Sequence, residues 1–421
     1  MKGTKTVCLL AIFILGFAAS WVRIYAQADS WVNYRGPDSN GHSAALNVPI
    51  HWSDSINVAW KTPIEGKGWS SPVVLEGQVW LTTATPEGKE FRAICVDENN
   101  GSIIHNIKVF EEDKPMEIHP LNSYASPAPV LEPERAYVHF GTYGTACINS
   151  QNGKILWERR DINCDHEVGP GSSPVIYKDL LILTMDGTDV QYLEALNKKN
   201  GISIWKRPRG LDFSKLPFDQ KKAFTTPVFS DIEGQTLLIS AGPHAIMGYL
   251  PETGEELWIV HYEGFSASAQ PVMNDNMIFI NTGFGKSSML GIKLEGKGDQ
   301  TGKATVWMNV KSMQARSSPL LIDGLLYMIN TGGQAKCLDP KTGEEIWSER
   351  VGRQTSSSPI YAGGKIYTFD EEGLCTIFTP GRSFNKIAEN QLPDGIMASP
   401  AVVDGALFVR TKEYLYKISQ R

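Results

Sequence analysis

The stretch CLDPKTGEEIW, Cys337 to Trp347, decides the fold because it is one copy of a phrase that returns along the chain. The same turn followed by an aromatic recurs as NGKILW ending at Trp157, NGISIW at Trp205, TGEELW at Trp258 and a stretched TGKATVW at Trp307. His105 and Asn385 stand where two further copies would carry the Trp. A glycine-containing turn between two β-rich runs is a hairpin signal, so each copy reads as strand, turn, strand.

Between these hairpins lies a second phrase: a small residue, a proline, then β-rich sequence broken by a Gly/Asp turn. SSPVVLEGQVWLTT, SSPVIYKDLLILT and SSPLLIDGLLYMIN are clear examples. Eight copies are counted, with prolines at Pro72, Pro127, Pro174, Pro227, Pro271, Pro319, Pro359 and Pro400. The two phrases together make a four-stranded antiparallel unit, and its radial repetition makes a β-propeller. The expected fold is all-β, a single eight-bladed propeller over residues 29–421. The last copy ends at LYKIS, one strand short, and NVAWKTP around Trp60 supplies a Trp strand with no blade before it. That N-terminal strand is expected to complete blade eight and close the ring, which removes open sheet edges.

The residues before this region read differently. Lys2 and Lys5 precede an apolar run from Val7 to Phe17, and AQA at Ala26 to Ala28 fits a cleavage site. Residues 1–28 therefore read as a signal peptide, and the expected location is periplasmic or secreted. A membrane anchor is the weaker reading, since a bilayer crossing needs about 20 apolar residues. No lipobox precedes Cys8, and no later segment is apolar enough to span. Loss of Lys2, Lys5 and Arg23, with no acid in the leader, takes the formal charge from −6 to −9. Such a body argues against nucleic acid and anionic membrane as partners.

Five cysteines remain after cleavage. Cys95, Cys147 and Cys337 each sit six residues before a turn glycine, where Ala195 and Gly248 stand in other copies. They are expected to be small buried strand residues rather than a disulfide framework. There is no C-x-x-C, no adjacent Cys pair and no metal-ligand spacing.

The Cys/Ala-Leu-Asp-x-x-Thr-Gly-x-x-x-Trp phrase resembles the pyrroloquinoline-quinone (PQQ) type propeller repeat, over nearly the whole mature chain. A closer likeness is to secreted bacterial PQQ-like repeat proteins, through YRGPDSNG, HPLNSYASP, HFGTYGTAC, GPGSSP and DGTDVQY. The resemblance describes the repeat and implies a fold, not a bound cofactor.

Loops entering the innermost strand of each blade should face the mouth of the central channel. Compared blade by blade they supply Lys67, Gly68 and Trp69; His119, Asn122 and Tyr124; Asp165, His166 and Glu167; Lys221, Lys222 and Phe224; then Phe265, Arg316, Arg353 with Gln354, and Met397. Individually each has a plain structural reading, the cations as partners of the chain's many acids and the histidines as loop props. Their convergence at one mouth is what suggests a site. His139, Tyr143, Asp186 and Asp189 are further candidates, with a structural role equally open.

Three functions fit this ring. Acting on an anionic, uronate-containing oligosaccharide by β-elimination would use Arg316, Arg353 and Lys222 to neutralise the carboxylate. His119, Tyr124 and His166 would move protons, and Asn122 and Trp69 would hold the sugar. Loss of a glycosidic oxygen would make the protein a lyase, and loss of a chain-end hydroxyl a dehydratase, which a narrow channel favours. PQQ, with three carboxylates, would suit a cationic channel. The PQQ dehydrogenases, however, share an adjacent-cysteine disulfide and a Ca²⁺ site, and the haem-bearing ones a C-x-x-C-H motif; neither Cys motif occurs here. The third reading is a non-catalytic scaffold for protein partners, similar to the outer-membrane barrel-assembly lipoprotein. Within DHEVGPGSSPV, Asp165 to Val175, His166 is the residue expected to reach the channel as a general acid or base, oriented by Asp165 or Glu167.

Overall fold

The computed structural model describes residues 30–53, 56–232, 234–274, 277–294 and 296–420. The leader expected over residues 1–28 lies outside them. Eight sheets follow one another around the ring; in seven the strands pair in sequence order from the innermost outward, and in the eighth the N-terminal strand takes the outermost place. Blade one, for example, runs Val73–Leu75, Gln78–Ala84, Glu90–Asp97 and Ile103–Glu111. Seven blades have four strands. Blade four has a fifth, because Gly298–Asp299 in the stretched hairpin of blade five pairs in parallel with Trp258 and Ile259.

The ring closes as the Trp60 strand predicts. Val58–Pro63 pairs antiparallel with Tyr414–Ile418, and together with Ala401–Val403 and Ala406–Arg410 makes blade eight. Trp60, Phe408 and Tyr416 share one buried cluster with Val79, Leu81, Ile94 and Val96 of blade one. The closing joint is also stapled by Arg410, whose Nη1 donates to Ser70 Oγ and to the Thr82 carbonyl, both at 2.7 Å. Among the described residues no helix is long and apolar enough to cross a membrane.

Both sequence phrases have a physical cause in the way blades pack. In the outer phrase the indole of one blade lies on the turn glycine of the next. A Cβ on Gly201 would come within 2.7 Å of Trp157, and one on Gly254 within 2.7 Å of Trp205. The indole N–H then donates to a carbonyl of that same hairpin, as with Trp157 to Lys198 (2.9 Å), Trp205 to Pro251 (3.0 Å) and Trp347 to Gly381 (2.9 Å). His105 replaces the Trp in kind: its Nε2 lies 3.1 Å from the Ser150 carbonyl, above Gly153. Blade five's hairpin is stretched, and Trp258, which faces it, keeps a buried indole nitrogen with no hydrogen-bond partner.

The cysteines follow from the same packing. Cys147 pairs across the sheet with Trp157, Cys337 with Trp347, Ala195 with Trp205 and Gly248 with Trp258. The ladder shifts register immediately after each of these pairs, a β-bulge repeated from blade to blade. Space beside the indole is so short that a Cβ on Gly248 would sit 2.3 Å from Trp258. The five cysteines among the described residues are buried and free.

In six of the eight blades the residue before the inner proline carries a hydroxyl, and that oxygen accepts a backbone N–H from the blade before. The N–H of Ser173 donates to Thr226 Oγ1, Gln270 to Ser318 Oγ, Ser318 to Ser358 Oγ and Ser358 to Ser399 Oγ, each at 2.9 Å; Ser399 donates to Ser71 Oγ at 3.0 Å. Blade two corrects the register read from sequence. Its inner strand starts at Val130, so the equivalent proline is Pro129 and not Pro127. Ala128 then occupies the hydroxyl position; it donates to Ser173 Oγ (2.9 Å) but has no oxygen to accept with. The first joint is made instead by Trp69 and Ser70, whose N–H groups both donate to the Ala125 carbonyl at 3.0 Å.

The N-terminal segment has a second task that no repeat announces. Trp31 exchanges two backbone bonds with Val74 of blade one, and Leu131 N–H of blade two donates to the Val32 carbonyl. Arg35 donates to the Pro319 carbonyl (2.6 Å), and Gly41 and Ser43 bond to Tyr361 of blade seven. These partners lie on or beside the inward edges of their blades. Residues 31–43 therefore cross the central channel and block it, which accounts for YRGPDSNG.

Candidate functional site

On one side of this plug the channel opens into a cavity of about 590 Å³. Its wall carries Trp69, Phe224, Phe265 and Phe284, and Tyr34 enters from the plug, its hydroxyl 3.0 Å from Ser358 Oγ. Around the base stand the hydroxyls of the inner phrase, Ser71, Ser173, Thr226 and Ser399. His119, Asn122, Lys222, Arg316, Gln354 and Met397 complete the rim. Comparing the loops blade by blade thus names Trp69, His119, Asn122, Lys222, Phe224, Phe265, Arg316, Gln354 and Met397, a part of the lining.

Among the lining residues it does not name are Tyr34, Phe284 and Thr331. Tyr34 lies in a segment without a repeat to compare. Phe284 and Thr331 follow the second strands of blades five and six, where NTGFG and NTGG carry a repeated Asn-Thr-Gly that could have pointed to them.

Each expected site residue takes a definite place. Trp69 lines the cavity, its indole N–H donating to the Leu121 carbonyl (3.0 Å) with the Lys67 ammonium 5.3 Å from the ring centre. Asn122 lines it too, but its amide is used up: Nδ2 donates to the Val168 and Pro170 carbonyls, and Oδ1 accepts from Ser126 Oγ. It braces the DHEVGP loop. His119 is exposed at the rim, and its Nδ1 accepts the Leu121 N–H at 3.2 Å. In the neutral ring this leaves the proton on Nε2, so the imidazole presents a donor.

Tyr124 and His166 do not line the cavity. Tyr124 is buried in an aromatic cluster with Phe91 and Tyr143, and its hydroxyl donates to the Met116 carbonyl at 2.7 Å. His166 is buried, and burial pushes its pKa down to about 4 despite Asp165 and Asp189 nearby. Its Nε2 accepts the N–H of Thr142 in the neighbouring blade (3.3 Å), and a Cβ on Gly141 would sit 2.4 Å from that nitrogen. His166 is thus a neutral prop under the Gly141–Tyr143 turn, and HFGTYGT is the sequence of the surface it supports. The expectation that this loop delivers it to the channel is corrected. Glu167 takes φ of +58°, and its N–H donates to Asp165 Oδ1, a turn that places the imidazole inward.

The cations are masked. Lys222 is buried at the rim and forms an ion pair with Glu167 of the neighbouring loop. Arg316 Nη2 lies 2.9 Å from Glu371 Oε1, with only 19% and 11% of the two side chains exposed. Arg353 lies outside the cavity lining, 74% exposed and paired with Glu372. Asp186 forms a buried pair with Arg209 (2.7 Å), and Asp189 accepts the Asp165 and Val190 N–H groups. His139 bonds Thr145 Oγ1 within the core, and Tyr143 OH accepts the Met116 N–H. All four of these last candidates hold structure.

A family model described as outer membrane protein assembly factor BamB, built on the PQQ-type repeat, matches residues 52–176 and 189–421. The chain belongs to this family of PQQ-repeat propellers. Tetrathionate hydrolase of Acidithiobacillus ferrooxidans is 24% identical over 273 residues, 57% of this chain and 48% of that protein, so the chain spans about half the length of this relative. Among solved structures, a quinohemoprotein alcohol dehydrogenase from Comamonas testosteroni superposes with a TM-score of 0.71 at 11% identity, covering 94% of this chain and 81% of that one. BamB from Moraxella catarrhalis superposes with 0.59 at 12% identity, covering 86% and 99%. At such identities the two structures share the fold alone. The relatives so named include enzymes, a hydrolase and a dehydrogenase, and none is a polysaccharide lyase.

The residues do not fit PQQ. Its three carboxylates would meet Lys222 and Arg316 already paired with acids. Among the described residues, no group of three or more His, Cys, Asp or Glu side chains could hold a metal ion beside it.

Proposed function

We propose that the propeller is exported and binds a neutral, hydroxyl-rich ligand, a sugar unit at the end of a glycan, in the cavity above the channel plug. The observation that carries this reading is the pairing of four aromatic rings on the wall with a base of Ser and Thr hydroxyls, in a cavity whose two cations are neutralised. A pyranose has one apolar C–H face and a rim of hydroxyls, so it stacks on a ring while its edge exchanges hydrogen bonds. His119 Nε2–H and Gln354 are the available polar partners at the rim, and the hydroxyls of Ser71, Ser173, Thr226 and Ser399 those at the base. A plugged channel admits a chain end and not a threaded chain.

The β-elimination expected for a uronate finds less support. It needs a base and an acid facing one sugar, and of His119, Tyr124 and His166 only His119 lines the cavity. Binding without turnover is therefore the reading preferred.

The test is calorimetric titration of the mature protein with neutral di- and trisaccharides, matched uronates and PQQ at two ionic strengths. Salt-insensitive binding of a neutral sugar, lost in Trp69→Ala, is the expected result. Tight, salt-sensitive binding of PQQ or a uronate would overturn it.

A further inference from the structure

Lys222 and Arg316 reach the cavity from the loops entering blades four and six, yet the acid that neutralises each comes from a different blade. Glu167 belongs to the loop entering blade three. Glu371 follows the second strand of blade seven, and it is held in place from three sides. Its N–H donates to the Gln354 carbonyl at 2.8 Å, its Oε1 accepts from Ser356 Oγ at 2.8 Å, and the same oxygen faces Arg316 at 2.9 Å. Ser356 and Gln354 both line the cavity, whereas Glu371 stands behind them. Glu167 is fixed through its backbone: it adopts a left-handed conformation, its N–H is tied to Asp165, and its carboxylate meets Lys222 alone.

Two carboxylates outside the lining, each against a cation within it and that of Glu371 also held by Ser356, set the charge of the cavity without touching its contents. We infer that Glu167 and Glu371 determine specificity: they mask the two cations of the rim so that the cavity takes neutral ligands and rejects anionic ones. An anion approaching Arg316 must compete with a partner already in contact and already desolvated. A neutral hydroxyl can accept from the guanidinium's remaining N–H groups while the pair stays intact. Removing the mask would leave a preformed cationic site in a partly buried cavity, where an anion gains most. The inference deepens the neutral-ligand reading and rests on it for the identity of the natural ligand.

The experiment uses Glu371→Gln and Glu167→Gln/Glu371→Gln in the full mature chain. Its probes are cellobiose, cellobiouronic acid, which differs from it by one carboxylate, and PQQ as an anion that is not a sugar. The amides preserve shape and the hydrogen bond from Ser356. The expected result is a gain of tenfold or more in affinity for cellobiouronic acid and PQQ, reversed by raised salt, with cellobiose affinity within about threefold of wild type. The gain should vanish in Arg316→Gln/Glu371→Gln, which separates unmasking from loosened packing. Variants that retain the wild-type melting profile but gain no affinity for either anion would overturn the masking. So would wild-type protein that binds PQQ as tightly as the double variant. If no sugar binds any form while PQQ binding still rises on unmasking, the glycan reading fails and the masking stands.

Discussion

Gly254 of blade four lies so close under Trp205 of blade three that a Cβ on it would approach the indole to 2.7 Å, in a backbone conformation with φ of +68°. Two independent costs meet at this one position: the left-handed backbone and the lost stacking distance. Gly254→Ala should destabilise the protein by about 2 kcal/mol or more, where the left-handed strain alone would cost about 1. Denaturant unfolding measures this. A change below about 0.5 kcal/mol would mean that the indole is free to move aside. Trp205→Phe keeps the packing but removes the bond to the Pro251 carbonyl, and should cost less.

Ser358 joins two blades through one oxygen, which accepts the Ser318 N–H at 2.9 Å while its own N–H donates to Ser399 Oγ. Ser358→Ala leaves the Ser318 N–H buried without a partner, at a cost of about 1–3 kcal/mol. The melting temperature should fall without change in the circular dichroism of the folded protein. Unchanged stability would show that the hydroxyl ring is incidental to blade assembly.

Much of this was legible in the sequence, and the remainder was hidden for definable reasons. The blade count, the closing strand and the burial of the cysteines follow from phrases that repeat because each blade packs on an identical neighbour. Pro127 is the wrong proline for blade two because ASPAPV offers two registers, and only strand pairing chooses Pro129. His166 was misplaced because its surroundings come from Gly141 and Thr142 of another blade. The masking of Arg316 was invisible for the same reason, since Glu371 lies far along the chain in a loop that carries no repeated signature. The plug around Tyr34 occurs once, and repeats say nothing about a segment that has no second copy.

Acid should loosen the fold through its buried imidazoles. Burial holds the pKa of His166 at about 4, of His42 at about 4 and of His139 at about 3, against 6.5 for the exposed group. A depressed histidine means that the unfolded chain binds more protons than the native one between the two values. Stability is therefore fully present above about pH 6.5 and declines as the pH falls toward 4. Chemical denaturation from pH 8 to pH 4.5 should show this decline, with a shallower slope in His166→Gln. An identical slope in the variant would mean that His166 titrates normally in the folded protein.

Rim polarity should matter less than the aromatic wall. His119→Ala removes one exposed donor and should weaken ligand binding by about threefold to tenfold, the equivalent of one hydrogen bond of about 1 kcal/mol. Trp69→Ala, which removes a stacking surface, should weaken it by more than tenfold. If His119→Ala instead abolished a turnover while leaving affinity intact, His119 would be acting on the ligand and the protein would be an enzyme.

The most direct test of the central claim reads Trp69 itself. The difference between the fluorescence of wild-type protein and of Trp69→Phe isolates this indole in the cavity wall, and it can be titrated with cellobiose and cellobiouronic acid at low and high salt. A saturable change with the neutral sugar, unaffected by salt and weaker with the uronate, is the predicted result. A response confined to the uronate and abolished by salt would contradict the account.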